Sequence, residues 1–282
     1  MGSAAHFQLT AEYFMSELGP NNAEVILLGT GTSVGVPALG CDCDVCLSTN
    51  PKNNRTRCSV AIRLDQGTIL IDTAPDMRSQ LLRENIPLIH AVVYTHEHAD
   101  HLFGLDDLRL FPFRLGSPVP LYCESNVEAR IRKSYDYAFI ERKETHPGSK
   151  PQLEFERINE SDPFTVLNVE FEPIRLLHGP HFKVLGFRIG NFAYCTDTNE
   201  IPPQSLEKLV GLDTLVIDAL RRKPHPTHFS LDQACDIACQ IKPRQTYLTH
   251  ICHDLEHEAT NSALPPNIQL AHDGLRLKIR LS

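Results

Sequence analysis

Thr95-His96-Glu97-His98-Ala99-Asp100-His101 follows directly on the apolar run Ile89-His90-Ala91-Val92-Val93-Tyr94. Three imidazoles and the Asp100 carboxylate therefore crowd together at the end of a stretch that reads as a β-strand. Neutral imidazole nitrogens and carboxylate oxygens are donors for borderline divalent ions such as zinc or manganese, and neither packing nor solubility calls for so many of them side by side. Side chains of an extended chain alternate with period two, so His96 and His98 share a face. Asp100 and His101 fall past the strand, where a turn can aim them at a second ion. Three more strand-like runs end in a donor: His178 after Ile174-Arg175-Leu176-Leu177, Asp197 after Ala193-Tyr194-Cys195-Thr196, and His250 after Thr246-Tyr247-Leu248-Thr249. If those ends meet at one sheet edge, five histidines and two carboxylates suffice for two ions with a shared bridging group. Such a pair activates water at neutral pH and clamps phosphoryl oxygens during in-line displacement, so hydrolysis is the expected chemistry.

Short β-rich segments recur throughout, at 24–28, 59–64, 68–72, 91–94, 166–171, 184–189, 192–195, 215–217 and 246–248, and the strict alternation of 275–281 reads as a half-buried antiparallel strand. Helices are expected at 75–84, 104–111, 126–138 and 231–241. In the last, Ser230 and Gln233 form a capping-box pattern, and Leu231, Ala234, Cys235, Ala238 and Cys239 follow helical spacing, which places both cysteines in the core. Many strands with a few interspersed helices predict two sheets covered by helices, an α+β class. The polar segment 141–163 reads as a surface loop or flap. Gly29-Thr30-Gly31-Thr32-Ser33 lacks the third glycine and the following helix of a nucleotide fingerprint and is expected to shape the site wall.

A second cluster, Cys41-Asp42-Cys43-Asp44-Val45-Cys46, supplies three thiolates, one donor short of a closed tetrahedral zinc. His253, three residues after His250, is the expected fourth, with Cys252 its nearby competitor. Such a zinc would staple the loop after the first strand to a late loop, as structure rather than chemistry. Nine cysteines in a chain of 282 residues, an odd number with three in one cluster, fit ligands and core thiols better than disulfides.

The formal charge of −8 argues against broad electrostatic binding of nucleic acid, while bound divalent cations can still hold a phosphate in an acidic protein. Apolar residues at 41% and charged residues at 22% are those of a globular protein with no membrane span. The first 22 residues read as an N-terminal extension without a secretory signal, followed by a single domain over 23–282, and a cytoplasmic location is expected. A symmetric homodimer is the base-rate expectation for its assembly.

His96-x-His98-x-Asp100-His101, preceded by Asp72 and followed in order by His178, Asp197 and His250, resembles the metallo-β-lactamase superfamily of hydrolases over about 24–281. Leu28-Gly29-Thr30-Gly31-Thr32-Ser33-x-Gly35-Val36-Pro37, Cys41-x-Cys43-x2-Cys46, Leu248-Thr249-His250-x2-His253 and Ala271-His272-Asp273-Gly274 resemble, within it, the PhnP-type phosphodiesterases. That resemblance implies a four-layer αββα sandwich with two active-site ions, manganese or zinc, and one structural zinc. It implies that His96, His98 and His178 hold one ion, that Asp100, His101 and His250 hold the other, and that Asp197 bridges. It assigns Cys41, Cys43, Cys46 and His253 to the zinc. It also assigns His228, in Thr227-His228-Phe229-Ser230, as general acid, with Asp100 counted beside it as catalytic; His225 is the decoy. The implied activity is opening of a small cyclic phosphodiester, a phosphoribosyl cyclic phosphate or cyclic nucleotide, by a metal-bridged hydroxide. Alternatives are a transfer-RNA end-processing nuclease, a lactone or thioester hydrolase of the same superfamily, and a non-catalytic carrier, which the full donor set disfavours. His257-Glu258-Ala259-Thr260 spells a word of the nuclease group but falls after the late metal histidine and is read as coincidence.

Overall fold

The computed structural model describes residues 19, 21–140 and 148–281. Among them, β1 (Asn22–Gly29), β2 (Ser59–Leu64), β3 (Gly67–Ile71), β4 (Ala91–Val93), β5 (Val119–Cys123), β6 (Leu153–Arg157) and β14 (Leu275–Arg280) form one sheet, ordered β14-β1-β2-β3-β4-β5-β6. The second comprises β7 (Phe164–Val166), β8 (Val169–His178), β9 (Phe182–Ile189), β10 (Phe192–Cys195), β11 (Thr214–Asp218), β12 (Gln245–Thr249) and β13 (Ile268–Leu270), ordered β13-β12-β11-β10-β9-β8-β7. Helices α1 (Met77–Arg83), α2 (Ala99–Leu102), α3 (Pro112–Leu115), α4 (Ser125–Ser134), α5 (Pro203–Glu207), α6 (Leu231–Ile241) and α7 (His257–Ala263) intervene.

Alternation along the strands sets the layers. In β1, Ala23, Val25 and Leu27 meet Phe171, Phe187 and Tyr194 of the other sheet, whereas Ile26 and Leu28 face outward onto Met77 and Leu81 of α1. In β10, Phe192 and Tyr194 point inward, while Ala193 and Cys195 join Ala234 and Ala238 of α6. With both faces of each sheet covered, the strands read as near-continuous apolar runs, and the result is the expected helix-sheet-sheet-helix sandwich. Truncating Ile62 or Leu185, both fully buried, would cost about 2–5 kcal/mol. Strands β3 to β5 run parallel, as do β10 to β13, so within each run the carboxyl ends leave the sheet on one side. It is there that open α/β sheets place ligands.

Several expectations need correction. The 166–171 run is not one strand: Leu167 and Asn168, both left-handed at φ 48° and 62°, turn β7 into β8. Segment 141–163 is more than a loop, since Leu153–Arg157 forms edge strand β6 beside β5; its first seven residues lie outside the described ones. The 104–111 stretch is 3-10 helix at Leu105–Leu110. The capping box of Ser230 and Gln233 is present, but Cys239 is exposed and Cys235 only half-buried, because they flank the apolar stripe of Leu231, Ala234 and Ala238. The expected N-terminal extension lies outside the described residues apart from Gly19, Asn21 and Asn22. Among the described residues no helix is long and apolar enough to cross a membrane.

Candidate metal centre

The seven expected nitrogen and oxygen donors are brought together at the carboxyl ends of β4, β8, β10 and β12. His96, His98 and His178 form one group of mutually close donor atoms and Asp100, His101, Asp197 and His250 another. Asp197 lies between the groups. Its Oδ1 is 3.2 Å from His101 Nε2, and its Oδ2 is 3.4 Å from His250 Nε2, 3.9 Å from His96 Nε2 and 4.0 Å from His178 Nε2. Asp100 Oδ2 is 3.4 Å from His101 Nε2 and 3.8 Å from His250 Nε2. The extended backbone of His98 gives way directly to α2, which delivers Asp100 and His101 back toward the strand ends.

Backbone strain accompanies this convergence. Asp72, Asp197 and His250 take φ of 63°, 54° and 59°, a left-handed conformation that costs a residue with a Cβ about 1–3 kcal/mol. Each terminates a strand and turns its side chain across the sheet edge.

Outer hydrogen bonds fix which nitrogen faces inward in three of the five rings. His101 Nδ1 donates to Asp72 Oδ2 at 2.8 Å, and His178 Nδ1 donates to the Thr227 carbonyl at 2.7 Å. His96 Nδ1 donates to Thr95 Oγ1 at 2.9 Å, and that hydroxyl donates to Asp72 Oδ2 at 2.7 Å. Nε2 is left free in all three, which is how metal-ligating histidines are oriented. The Nε2 atoms of His96, His101 and His250 are buried with no hydrogen-bond partner. Such orphans are rare in folded proteins and fit a cation as their missing partner.

Electrostatics point the same way. Burial alone would raise the Asp197 carboxyl, but His101, His250 and His96 hold it well below the usual range. Burial disfavours a charged His250, yet Asp197 and Asp100 pull its pKa up to about 9. His101 is likewise raised against its burial by Asp197, Asp100 and Asp72. The carboxylates thus favour positive charge at this point of the structure, and a divalent cation would supply it.

Against this cluster stands His228. Its ring stacks on His250 with centroids 4.4 Å apart and meets His178 edge-on at 4.6 Å. Its Nδ1 donates to Asp218 Oδ2 at 2.6 Å, and Asp218, fully buried at the end of β11, also accepts from Thr198 N at 2.9 Å. The decoy His225 lies 5.3 Å from His228, centroid to centroid, and is bound at Nδ1 by Thr227 Oγ1. Asp218 was missed in the sequence although Leu215-Val216-Ile217-Asp218 carries the same strand-end signal as the other donors. Glu97 turns away and accepts from Asn126 Nδ2.

Cys41, Cys43, Cys46 and His253 form a separate group. His253 Nδ1 lies 3.3 Å from both Cys41 Sγ and Cys46 Sγ, whereas Cys252 Sγ accepts from Asp254 N, so His253 is the one of the two that stands with the three thiols. Burial pushes the Cys46 thiol up to about 11, so it would ionise at neutral pH only with a cation beside it. The Gly29–Gly31 turn does line this region: Thr32 N donates to Ile251 O, and Ile251 N donates to Thr30 O, between His250 and His253. A Cβ on Gly29 would meet Arg57 O at 1.9 Å, so only glycine admits the neighbouring chain.

Residues 67–251 match the beta-lactamase superfamily domain. A solved diphosphatase from the PhnP family is 46% identical, with a TM-score of 0.85 over 92% of this chain and 98% of that one. A Porphyromonas gingivalis protein named octanoyltransferase is 41% identical over 253 residues, 89% of this chain and 50% of that protein, so the chain spans about half of that relative's length. Ribonuclease Z of Borrelia duttonii is 26% identical over 298 residues, covering 82% of this chain and 93% of the relative.

Proposed function

Because the chain belongs to the metallo-β-lactamase superfamily and, within it, to the PhnP family, we propose that it is a metal-dependent phosphodiesterase that opens a small cyclic phosphodiester of the phosphoribosyl or nucleotide type. The observation that carries this reading is the set of orphaned buried imidazole nitrogens around Asp197, with the Asp218-anchored His228 stacked on their edge. His96, His98 and His178 would hold one divalent ion and Asp100, His101 and His250 the other, with Asp197 shared between them. Two bound cations would supply positive charge for the phosphoryl oxygens and an acidified water. The chain's own groups do the rest. Asp72 and Thr95 lock His101 and His96 in the donor-ready tautomer, and the Thr227 carbonyl does so for His178. Asp218 holds His228 at Nδ1, leaving Nε2 to hand a proton to the departing alkoxide. Cys41, Cys43, Cys46 and His253 would hold a third ion, a zinc, with a bracing task only.

Octanoyl transfer is not carried over, since the protein so named is about twice as long as the matched region. End-processing of transfer RNA is weakened by the net charge of −8, which opposes binding of a polyanion. The test is turnover, with manganese added, of a cyclic phosphoribose, a diphosphate ester, a lactone, a thioester and a precursor transfer RNA. The cyclic phosphodiester should be favoured, and Asp197→Ala and His250→Ala should each abolish its hydrolysis. Intact turnover in either variant overturns the reading.

A further inference from the structure

Phe182 is 45% exposed, although its ring lies 4.8 Å from His98 and 6.3 Å from His178, centroid to centroid. Topology puts it there. In the β8–β9 hairpin Phe182 pairs directly across from His178, and cross-strand partners share a face, so the ring necessarily stands on the donor side. The hairpin tip is also fastened. Gly179 sits at φ +72° so close to the loop carrying His228 that a Cβ would meet Thr227 Cγ2 at 2.6 Å, and Gly179 N donates to Asn199 Oδ1. A half-exposed apolar ring at the rim of a charged cluster gains little from burial. What it offers is a partly exposed aromatic ring beside the donor cluster.

We propose that Phe182 is a specificity-determining residue, a platform on which a nucleobase carried by the substrate stacks while the phosphodiester lies among the donors. Stacking of a base on an aromatic side chain is sequence-tolerant, so the platform selects for a base without selecting which one. The inference rests on the phosphodiesterase reading and sharpens it, from the phosphoribosyl or nucleotide type to the type that bears a base.

The test compares 2′,3′-cyclic AMP with its base-free counterpart, 1-O-methylribose 2,3-cyclic phosphate, in wild type, Phe182→Ala, Phe182→Leu and Phe182→Tyr. The ratio of kcat/KM for the two substrates should fall about ten-fold in the Ala and Leu variants and be kept in Tyr. Because both substrates meet the same sample, partial misfolding cancels from the ratio. Calorimetry on the metal-loaded proteins, with AMP as probe and ribose 5-phosphate as reference, should show the same selective loss for AMP. A ratio and an AMP affinity indifferent to the ring overturn the proposal. Should wild type turn over neither cyclic phosphate, the phosphodiesterase reading fails by itself, and the calorimetric comparison alone decides on Phe182.

Discussion

Asp218 and His228 stand ten positions apart in sequence and 2.6 Å apart in space. If His228 protonates the leaving oxygen, His228→Ala should lower kcat about 10²–10⁴-fold on a substrate with an alkoxide leaving group. A p-nitrophenyl diester, whose leaving group departs as a stable anion, should lose far less. Asp218→Asn should fall between wild type and His228→Ala on the first substrate, and equal losses on both would remove His228 from the proton's path. A second histidine speaks to stability instead. His257 is buried with Nδ1 3.1 Å from Arg55 Nη2, and burial followed by the Arg55 charge pushes its pKa down to about 4. The unfolded chain takes up that proton near pH 6.5 and the folded chain only near 4, so across this window the unfolded state binds more protons. The contribution is complete above about pH 6.5 and is lost as the pH falls toward 4, by about 2 kcal/mol once solvent screening is allowed for. Urea unfolding across that range should show a shallower pH slope in His257→Gln than in wild type.

The turn after β12 serves two centres at once, His250 facing the seven-donor cluster and His253 the cysteines. Its middle residue, Ile251, is paired to Thr30 and Thr32, and Thr30 is gripped through both N and Oγ1 by Asp273 Oδ1 at 2.9 Å. Mild chelation should therefore strip activity while one zinc per chain remains, measured by metal analysis. Cys46→Ser should retain no tight zinc and melt earlier, by about 2–4 °C for each kcal/mol lost. A Cys46→Ser protein that keeps its zinc would show the cluster to be something else. The elements that escaped the sequence reading did so for physical reasons. β5 contains Pro120, which cannot donate to a ladder. β6, Leu-Glu-Phe-Glu-Arg, is an edge strand whose charges read as loop. The Leu167-Asn168 turn has two left-handed residues and no glycine to announce it.

Across the molecule, the donors were legible because they follow directly on apolar runs, a pattern visible without knowing which strands are neighbours. Their partners were not, since Asp218 and the Thr227 carbonyl act across elements, and only the fold shows that the ring of Phe182 stands opposite His178. The four-layer arrangement came from resemblance more than from periodicity, because strands buried on both faces lose the alternation that would orient them. The donors are also divided by sheet: His96, His98, Asp100 and His101 follow β4 of the first, whereas His178, Asp197 and His250 belong to the second. Neither half of the polypeptide owns the chemistry. A chain severed between Ile140 and Gly148 would yield one piece with three of the imidazoles and one with two, each inert, whose reunion would announce itself as catalysis.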